Sequence, residues 1–410
     1  MMRCTVCHKP YVGPKNHYVC TYCGASIESP VDLEKNPEHL RDVLRRGSED
    51  GIWGYRDFFT VPEDAQPVTM GEGNTPLIHT DRLGAFYGMK NLYLKNETLN
   101  PSGTYKDRFA TVAMTLAKED GIKQVAIGSA GNAAAAVAAY AAKADMECFI
   151  MLPPGAVKER AWQNMAYGGH FIYGLGGVND CVKMAEDGEA IFGWKNMCTT
   201  MMNNPLACDG YKTIAYEAAR SMKFEAPDYV ICPVGGGIVV SKVYKGYEEM
   251  YELGMIDHLP KMIAVQAAGC APLVKAFDEG KTATEKWENG DTIAFAIFDP
   301  VTFEGVTALD TVRRSGGRAI AIPDDKILDA MRACAKMEAV IPEPASAATI
   351  AAAVKLHEDG VIGENDRVVC VLTGSGLRDL KLFNDENADI PSVQPGDMDS
   401  LKKAVNHYQK

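Results

Sequence analysis

Lys106 stands in the stretch Asn100-Pro101-Ser102-Gly103-Thr104-Tyr105-Lys106-Asp107-Arg108. A lysine amine can attack a carbonyl carbon and hold it as a Schiff base. Taken alone, a lysine in a turn reads as a solvated surface charge, because most lysines are exposed. Three other stretches change that reading. Gly128-Ser129-Ala130-Gly131-Asn132 precedes an alanine-rich helix, so its amides point outward at a positive dipole end and suit a carboxylate. Asn132 reads by default as the cap of that helix, with a ligand contact as the alternative. Pro233-Val234-Gly235-Gly236-Gly237-Ile238-Val239 sets three consecutive glycines between an apolar run and a helix, a nest for a phosphate. It has neither the Gly-Lys-Ser/Thr ending of a Walker loop nor the GxGxxG of a dinucleotide site. Leu372-Thr373-Gly374-Ser375-Gly376 offers a neutral hydroxyl able to meet a ring nitrogen, the bland alternative being a hydroxyl turn. Lysine, carboxylate loop, phosphate nest and hydroxyl jointly describe one ligand, an aldehyde-bearing ring with a phosphate arm.

A separate constellation lies at the N-terminus. Cys4 and Cys7, and Cys20 and Cys23, are paired CxxC knuckles with twelve residues between them. Four thiolates satisfy tetrahedral zinc and leave no open position, so the expected metal is structural; a ribbon without metal is the alternative. The other eight of the twelve cysteines are scattered in apolar or mixed contexts, which fits a reducing cytoplasm rather than a disulfide framework.

The elements that must position these residues follow from the apolar runs. Leu92-Tyr93-Leu94-Lys95 reads as a strand before the Lys106 turn, and Phe109, Val112, Ala113, Leu116 and Ala117 repeat as one face of a helix after it. Val125–Ile127, Cys148–Leu152, Tyr229–Cys232, Met262–Val265 and Val368–Leu372 are further short apolar runs between helical stretches. Such runs indicate parallel strands covered on both faces, an α/β fold of open-sheet type. In such sheets ligands sit where strands end and loops lead into helices, which is where the four stretches fall. A net charge of −12 argues against a nucleic-acid or anionic-membrane surface. No run has the length and purity of a membrane span, and no charged segment followed by an apolar one opens the chain, so a cytoplasmic protein is expected.

GEGNTPL (71–77), KNETLNPSGTYKDR (95–108), GSAGNAAAAVAAYAA (128–142), DGYKTIAYE (209–217), PVGGGIVVSKVYKGY (233–247), VQAAGCAPLVKAF (265–277), EPASAA (343–348) and LTGSGLRD (372–379) stand in an order and spacing that resembles the tryptophan-synthase-β-like (fold type II) enzymes dependent on pyridoxal 5′-phosphate (PLP), most closely the threonine synthases. That family commonly carries an N-terminal pair of CxxC knuckles as well. The resemblance implies two open-sheet α/β domains: a large PLP-binding one from 71–105 and 215–390, and a smaller one from 106–214. Before them stand a zinc-ribbon-like segment (1–30) and a lead-in (31–70), and after them a tail (391–410). It implies that Lys106 holds the PLP carbonyl carbon. Asn132 then meets the ring hydroxyl, Gly235, Gly236, Gly237, Ile238 and Val239 bind the phosphate arm, and Thr373, with Ser375 as the second choice, faces the ring nitrogen. Ser129, Ala130, Gly131, Asn132 and Ala133 would hold the carboxylate of a small amino-acid substrate, and a homodimer is implied.

The implied activity is that of a PLP-dependent carbon–oxygen lyase turning O-phosphohomoserine and water into threonine and phosphate. The substrate side departs from the family pattern. Ala207 replaces an arginine, Tyr211 a glutamine, and Ile297-Phe298-Asp299-Pro300 the end of an arginine-bearing stretch; His170 stands at a usually basic position, and Ala133 to Ala136 replace hydroxyls. The alternative is therefore β-elimination or β-replacement on serine, threonine, phosphoserine or a diamino acid.

Overall fold

The computed structural model describes all residues except 15, 16, 48, 130, 155–157, 384–389 and 408–410, and only the backbone of 158–161. Its strands are β1 (Arg3–Cys4), β2 (Ile27–Glu28), β3 (Leu77–His79), β4 (Asn91–Asn96), β5 (Gln124–Gly128), β6 (Glu147–Leu152), β7 (His170–Tyr173), β8 (Lys195–Asn196), β9 (Tyr229–Pro233), β10 (Lys261–Ala267), β11 (Arg318–Ile322) and β12 (Arg367–Leu372). Met1–Arg378 form one compact unit. Asp379–Lys410 form a second, which carries a helix at Met398–His407.

The first unit holds two open sheets. One has the order β11-β10-β9-β12-β4-β3 and is parallel except where β3 meets β4. The other has the order β7-β6-β5-β8 and is parallel throughout. Every residue of β9 is buried, as are five of six in β12, because helices cover these central strands on both faces. The alanine-rich helix Asn132–Lys143 is buried along most of its length, and small side chains let it pack closely. No helix among the described residues is long and apolar enough to cross a membrane.

The lead-in docks on the helix that follows Lys106. Its helix Pro37–Arg46 begins with proline at the first turn and ends at Gly47. The Trp53 indole N–H donates to Thr111 Oγ1 at 2.8 Å, and Thr111 lies on the helix Asp107–Glu119. At the N-terminus β1 and β2 pair antiparallel and bring the knuckles together. The Sγ atoms of Cys4 and Cys23 are 3.5 Å apart and those of Cys7 and Cys20 3.6 Å apart. The ribbon is tied to the body where the Tyr18 N–H donates to the Met202 carbonyl at 2.7 Å and the Ser26 N–H to Thr307 Oγ1 at 3.0 Å.

Candidate active site

Three adjacent strands of the larger sheet, β9, β12 and β4, send their carboxyl ends to one place. The turn after β4 is built by its own sequence. Gly103 takes φ +79°, a conformation that favours glycine. Asp107 accepts the Ser102 N–H at 2.7 Å and also bonds the Ser102 hydroxyl, which closes the turn on the first residue of the helix. The turn is then stapled to the end of β12: the Tyr105 N–H donates to the Thr373 carbonyl at 2.9 Å and the Ser375 N–H to the Gly103 carbonyl at 2.9 Å. Lys106 is thus fixed beside Thr373 before any ligand is considered.

The Lys106 amine donates to Thr199 Oγ1 at 2.8 Å and lies 5.0 and 5.6 Å from the ring centres of Tyr105 and Tyr211. Loss of solvation in the cleft lowers its pKa to about 8, and the acidic groups around it offset only part of that fall. At pH 7 roughly a tenth of such amines are neutral, against well under a thousandth for an ordinary lysine. The site therefore favours an amine ready to attack a carbonyl.

The glycine loop after β9 runs into the helix Ile238–Glu252, with Gly237 at φ +98°. The loop places amides at the start of a fifteen-residue helix, where an anion is favoured. Asn132 is the first residue of the helix Asn132–Lys143, whose cap position is taken by Gly131. The Asn132 Nδ2 donates to both carboxylate oxygens of Glu343, at 2.9 and 2.8 Å, and its Oδ1 accepts from Arg378. The capping expectation is therefore corrected: the helix starts one residue earlier than a cap at Asn132 requires, with Gly131 at the cap, and the Asn132 amide bonds Glu343 and Arg378 instead. Arg378 also donates to Gln163 Oε1 at 2.7 Å and to the Ser102 carbonyl, so one side chain links the Lys106 turn to Asn132. Thr373 Oγ1 lies 3.2 Å from Ser346 Oγ, which accepts the Gly374 N–H at 2.9 Å.

Lys106, Ser129, Gly131, Asn132, Ala133, Gly235, Gly236, Gly237, Ile238, Val239 and Thr373 all line one cavity of about 650 Å³. Ala130 lies outside the described residues. Ser375 bonds through its backbone to Gly103 and does not line the cavity. The residues fit PLP: an amine, an amide-lined helix start and a hydroxyl meet on a cavity of ligand size. A side chain at Gly374 would put its Cβ 2.4 Å from Glu343 Oε1 and 2.9 Å from Asn132 Nδ2, so glycine there keeps this wall in place.

The substrate-side departures separate in space. Phe298 and Asp299 line the cavity, and the buried Tyr211 sits beside the Lys106 amine. Ala207 is buried outside the cavity wall. His170 opens β7, is exposed and packs on Phe149 at 5.3 Å between ring centres, so it is not part of the wall. An edge strand put it on the surface, which its proximity to Gly168-Gly169 in sequence did not reveal. Thr199, Glu343, Arg378 and Glu304 are the site neighbours without an assigned role from sequence. Glu343 and Arg378 had a signal, since both stand inside the EPASAA and LTGSGLRD stretches; Thr199 had none.

Residues 68–374 match the model of the family described as "Pyridoxal-phosphate dependent enzyme". A threonine synthase of Methanocaldococcus jannaschii is 37% identical over 382 residues, 92% of this chain and 93% of that protein. A threonine synthase of Methanosarcina acetivorans is 34% identical over 98% of both chains. Among solved structures, threonine deaminase isoform 2 of Solanum lycopersicum shares the fold with a TM-score of 0.64 at 20% identity, covering 97% of this chain and 98% of its own. Maize serine racemase does so with 0.63 at 21%, covering 81% and 93%. The chain belongs to the pyridoxal-phosphate dependent enzymes and is, among them, a lyase resembling the threonine synthases.

Proposed function

We propose that the protein converts O-phosphohomoserine and water to threonine and phosphate. The observation that carries this reading is the meeting of the Lys106 amine, the glycine loop, Ser129, Gly131, Asn132, Ala133 and Thr373 on one cavity. The relatives named threonine synthase support the substrate. Bound PLP supplies an electron-withdrawing ring for the negative charge that develops on the substrate carbons. The Lys106 Nζ moves the proton at the substrate Cα, a task its lowered pKa suits. The amides from Ser129 to Ala133 hold the substrate carboxylate at a helix start, and Gly235 to Val239 hold the phosphate arm of the cofactor. Asn132, which lines the cavity and is gripped by Glu343 and Arg378, is the residue assigned to the ring hydroxyl. The Thr373 hydroxyl faces the ring nitrogen without forcing a proton onto it, which favours elimination and replacement at Cβ or Cγ over transamination.

One observation favours a second reading. Among the described residues the cavity wall has Lys106 and Lys286 as its cations, beside Asp180, Asp299, Glu304 and Glu343. A phosphate on the substrate asks for basic groups, so a β-elimination or β-replacement on serine, threonine or a diamino acid fits this wall. Holoenzyme incubated with phosphohomoserine, threonine, serine and phosphoserine separates the two. Threonine and phosphate formed in equal amounts from phosphohomoserine are expected. Active deamination of threonine or serine with no phosphate release overturns the first reading in favour of the second.

Structural zinc belongs to the same proposal. Cys4, Cys7, Cys20 and Cys23 place their sulfurs within 4.8 Å of one another. Zinc–sulfur bonds of about 2.3 Å in a tetrahedron require sulfurs about 3.8 Å apart, close to the ribbon's spacing. One zinc per chain is expected by elemental analysis, and a Cys7→Ser/Cys23→Ser variant is expected to lose it and to melt about 5 °C or more lower. Protein purified without chelator that holds no metal overturns this. The two domains drawn along 71–105 with 215–390 and along 106–214 are supported by the two separate sheets. A homodimer in a reducing cytoplasm completes the reading.

A further inference from the structure

Asp180, Asp299 and Glu304 are carboxyls of the cavity wall with no part in the scheme above, and the last two meet at the glycine loop. Glu304 is 3% exposed, and its backbone N–H donates to the Gly236 carbonyl at 2.8 Å. Its Oε1 accepts the Met201 N–H at 2.8 Å. Its Oε2 has no hydrogen-bond partner, and among the described residues that line the cavity it is the only buried side-chain polar atom in that condition. A Cβ placed on Gly236 would lie 3.3 Å from this oxygen and 3.6 Å from Asp299 Oδ2. Both carboxyls therefore bear on the middle residue of the glycine loop. Asp299 Oδ1 is engaged by the Val301 N–H at 3.3 Å, which leaves Oδ2 toward the loop.

A buried carboxylate oxygen with no donor is costly. A phosphate arm on the glycine loop adds negative charge at the same spot, and anions packed together cannot all stay ionised. A carboxylic acid answers both demands, since its O–H donates and it carries no charge. We propose that Glu304 binds the phosphate arm of the cofactor as the neutral acid, donating a proton from Oε2 to a phosphate oxygen, with Asp299 as the neighbouring charge that keeps that proton in place. The inference rests on the glycine loop being the phosphate site.

The surroundings agree. Burial raises Glu304 to about 8, against the opposing N–H groups of Met201 and Met202, and Asp299 adds to the rise. Burial likewise raises Asp299 to about 7. Facing Glu304 from other elements are Lys106, which lowers it, and Tyr105, Cys208 and Tyr211, which are neutral groups at pH 7. Lys286 lines the same cavity. The sign follows. Below about 8 free Glu304 already carries its proton, so Glu304 adds no pH dependence to binding there. Above that, each binding event takes up a proton, so affinity falls toward about tenfold per pH unit.

The test uses the full chain, stripped and reloaded with PLP or with pyridoxal, which has the aldehyde but no phosphate. Both share the Lys106 chemistry, so the ratio of their affinities isolates the phosphate. From pH 7 to 9.5 the preference for PLP is expected to fall by about tenfold or more in the wild type. Glu304→Gln keeps a neutral donor, so it should hold its pH 7 preference within about threefold and lose the slope. Asp299→Asn should move the onset of the fall to lower pH, and circular dichroism checks that both variants fold. A wild-type preference for PLP that does not vary with pH overturns the proposal, as does a wild-type slope in Glu304→Gln. A Glu304→Gln that binds PLP tighter at every pH shows an ionised Glu304 and overturns it too. No preference for PLP over pyridoxal at pH 7 removes the glycine-loop reading itself, a result distinct from the other three.

Discussion

Lys106→Ala is expected to lower kcat by at least about 10³-fold while leaving the protein folded. Two tasks are lost at once: the covalent hold on the cofactor and the base at the substrate Cα, and the second alone contributes about 10²–10⁴. The fold should survive because Lys106 supports little around it. Its amine bonds Thr199, and no ion pair holds it among the described residues. The turn that carries it is closed by Ser102 with Asp107 and by backbone bonds to Thr373 and Gly103, none of which uses the lysine side chain. Removing an amine whose charge is already disfavoured by burial leaves no partner stranded. The measurement is borohydride reduction followed by peptide mass mapping, alongside kinetics and a thermal melt. Wild type should carry a stable cofactor adduct on the peptide containing Lys106, and the variant none, with melting points within a few degrees. An adduct on another lysine, or turnover above a tenth of wild type, would sink the assignment.

The four stretches that define the site were legible because each works through local chemistry. A proline and glycine make the Lys106 turn, three glycines make the nest, and each lies where a buried strand ends. What sequence did not expose depends on long-range contact. Asn132 is held by Glu343, 211 residues away, and by Arg378, so its helix start gave the wrong default. The orphaned Glu304 oxygen becomes visible only once the loop after Asp299 is folded onto Gly236. The central strands announced themselves as apolar runs. The edge strands β7 and β11 did not, because exposed residues such as His170 and Arg318 break the apolar signal. A cavity wall mixes residues from both situations, which is why the cofactor side was read more fully than the substrate side.

The position where stability rather than chemistry is most at risk lies on the helix that follows Lys106, Asp107–Glu119. Arg108 is two residues beyond Lys106 and wholly buried. Its Nε and Nη2 donate to the two carboxylate oxygens of Glu97 at 2.6 and 2.8 Å, and its Nη1 and Nη2 donate to those of Glu217 at 2.7 Å each. Lys95 donates to Glu217 Oε2 at 2.7 Å and lies 3.4 Å from Glu97 Oε1. Two cations thus balance two anions, and the cluster fastens β4, the helix after Lys106 and the helix Thr213–Ser221 to one another. Arg108→Ala is expected to cost about 3–5 kcal/mol, because it leaves two buried carboxylates with Lys95 alone. Arg108→Lys should recover little, since an ammonium cannot serve two carboxylates in the planar fork. A double variant, Arg108→Met with Glu217→Gln, should cost clearly less than the sum of its parts. Urea unfolding measures these variants together with the single parts Arg108→Met and Glu217→Gln, and additive losses would show that the charges do not act as one cluster. Acid titration supplies the independent arm. Burial tends to raise Glu97 and Glu217, but Arg108 outweighs it with help from Lys95 and holds both below the usual carboxylate range. Their contribution is therefore full above the ordinary unfolded value of about 4.3 and is lost as pH falls below it. Wild type should lose stability on moving from pH 5 to pH 3 more steeply than the Arg108→Met/Glu217→Gln variant, and parallel curves would refute the linkage.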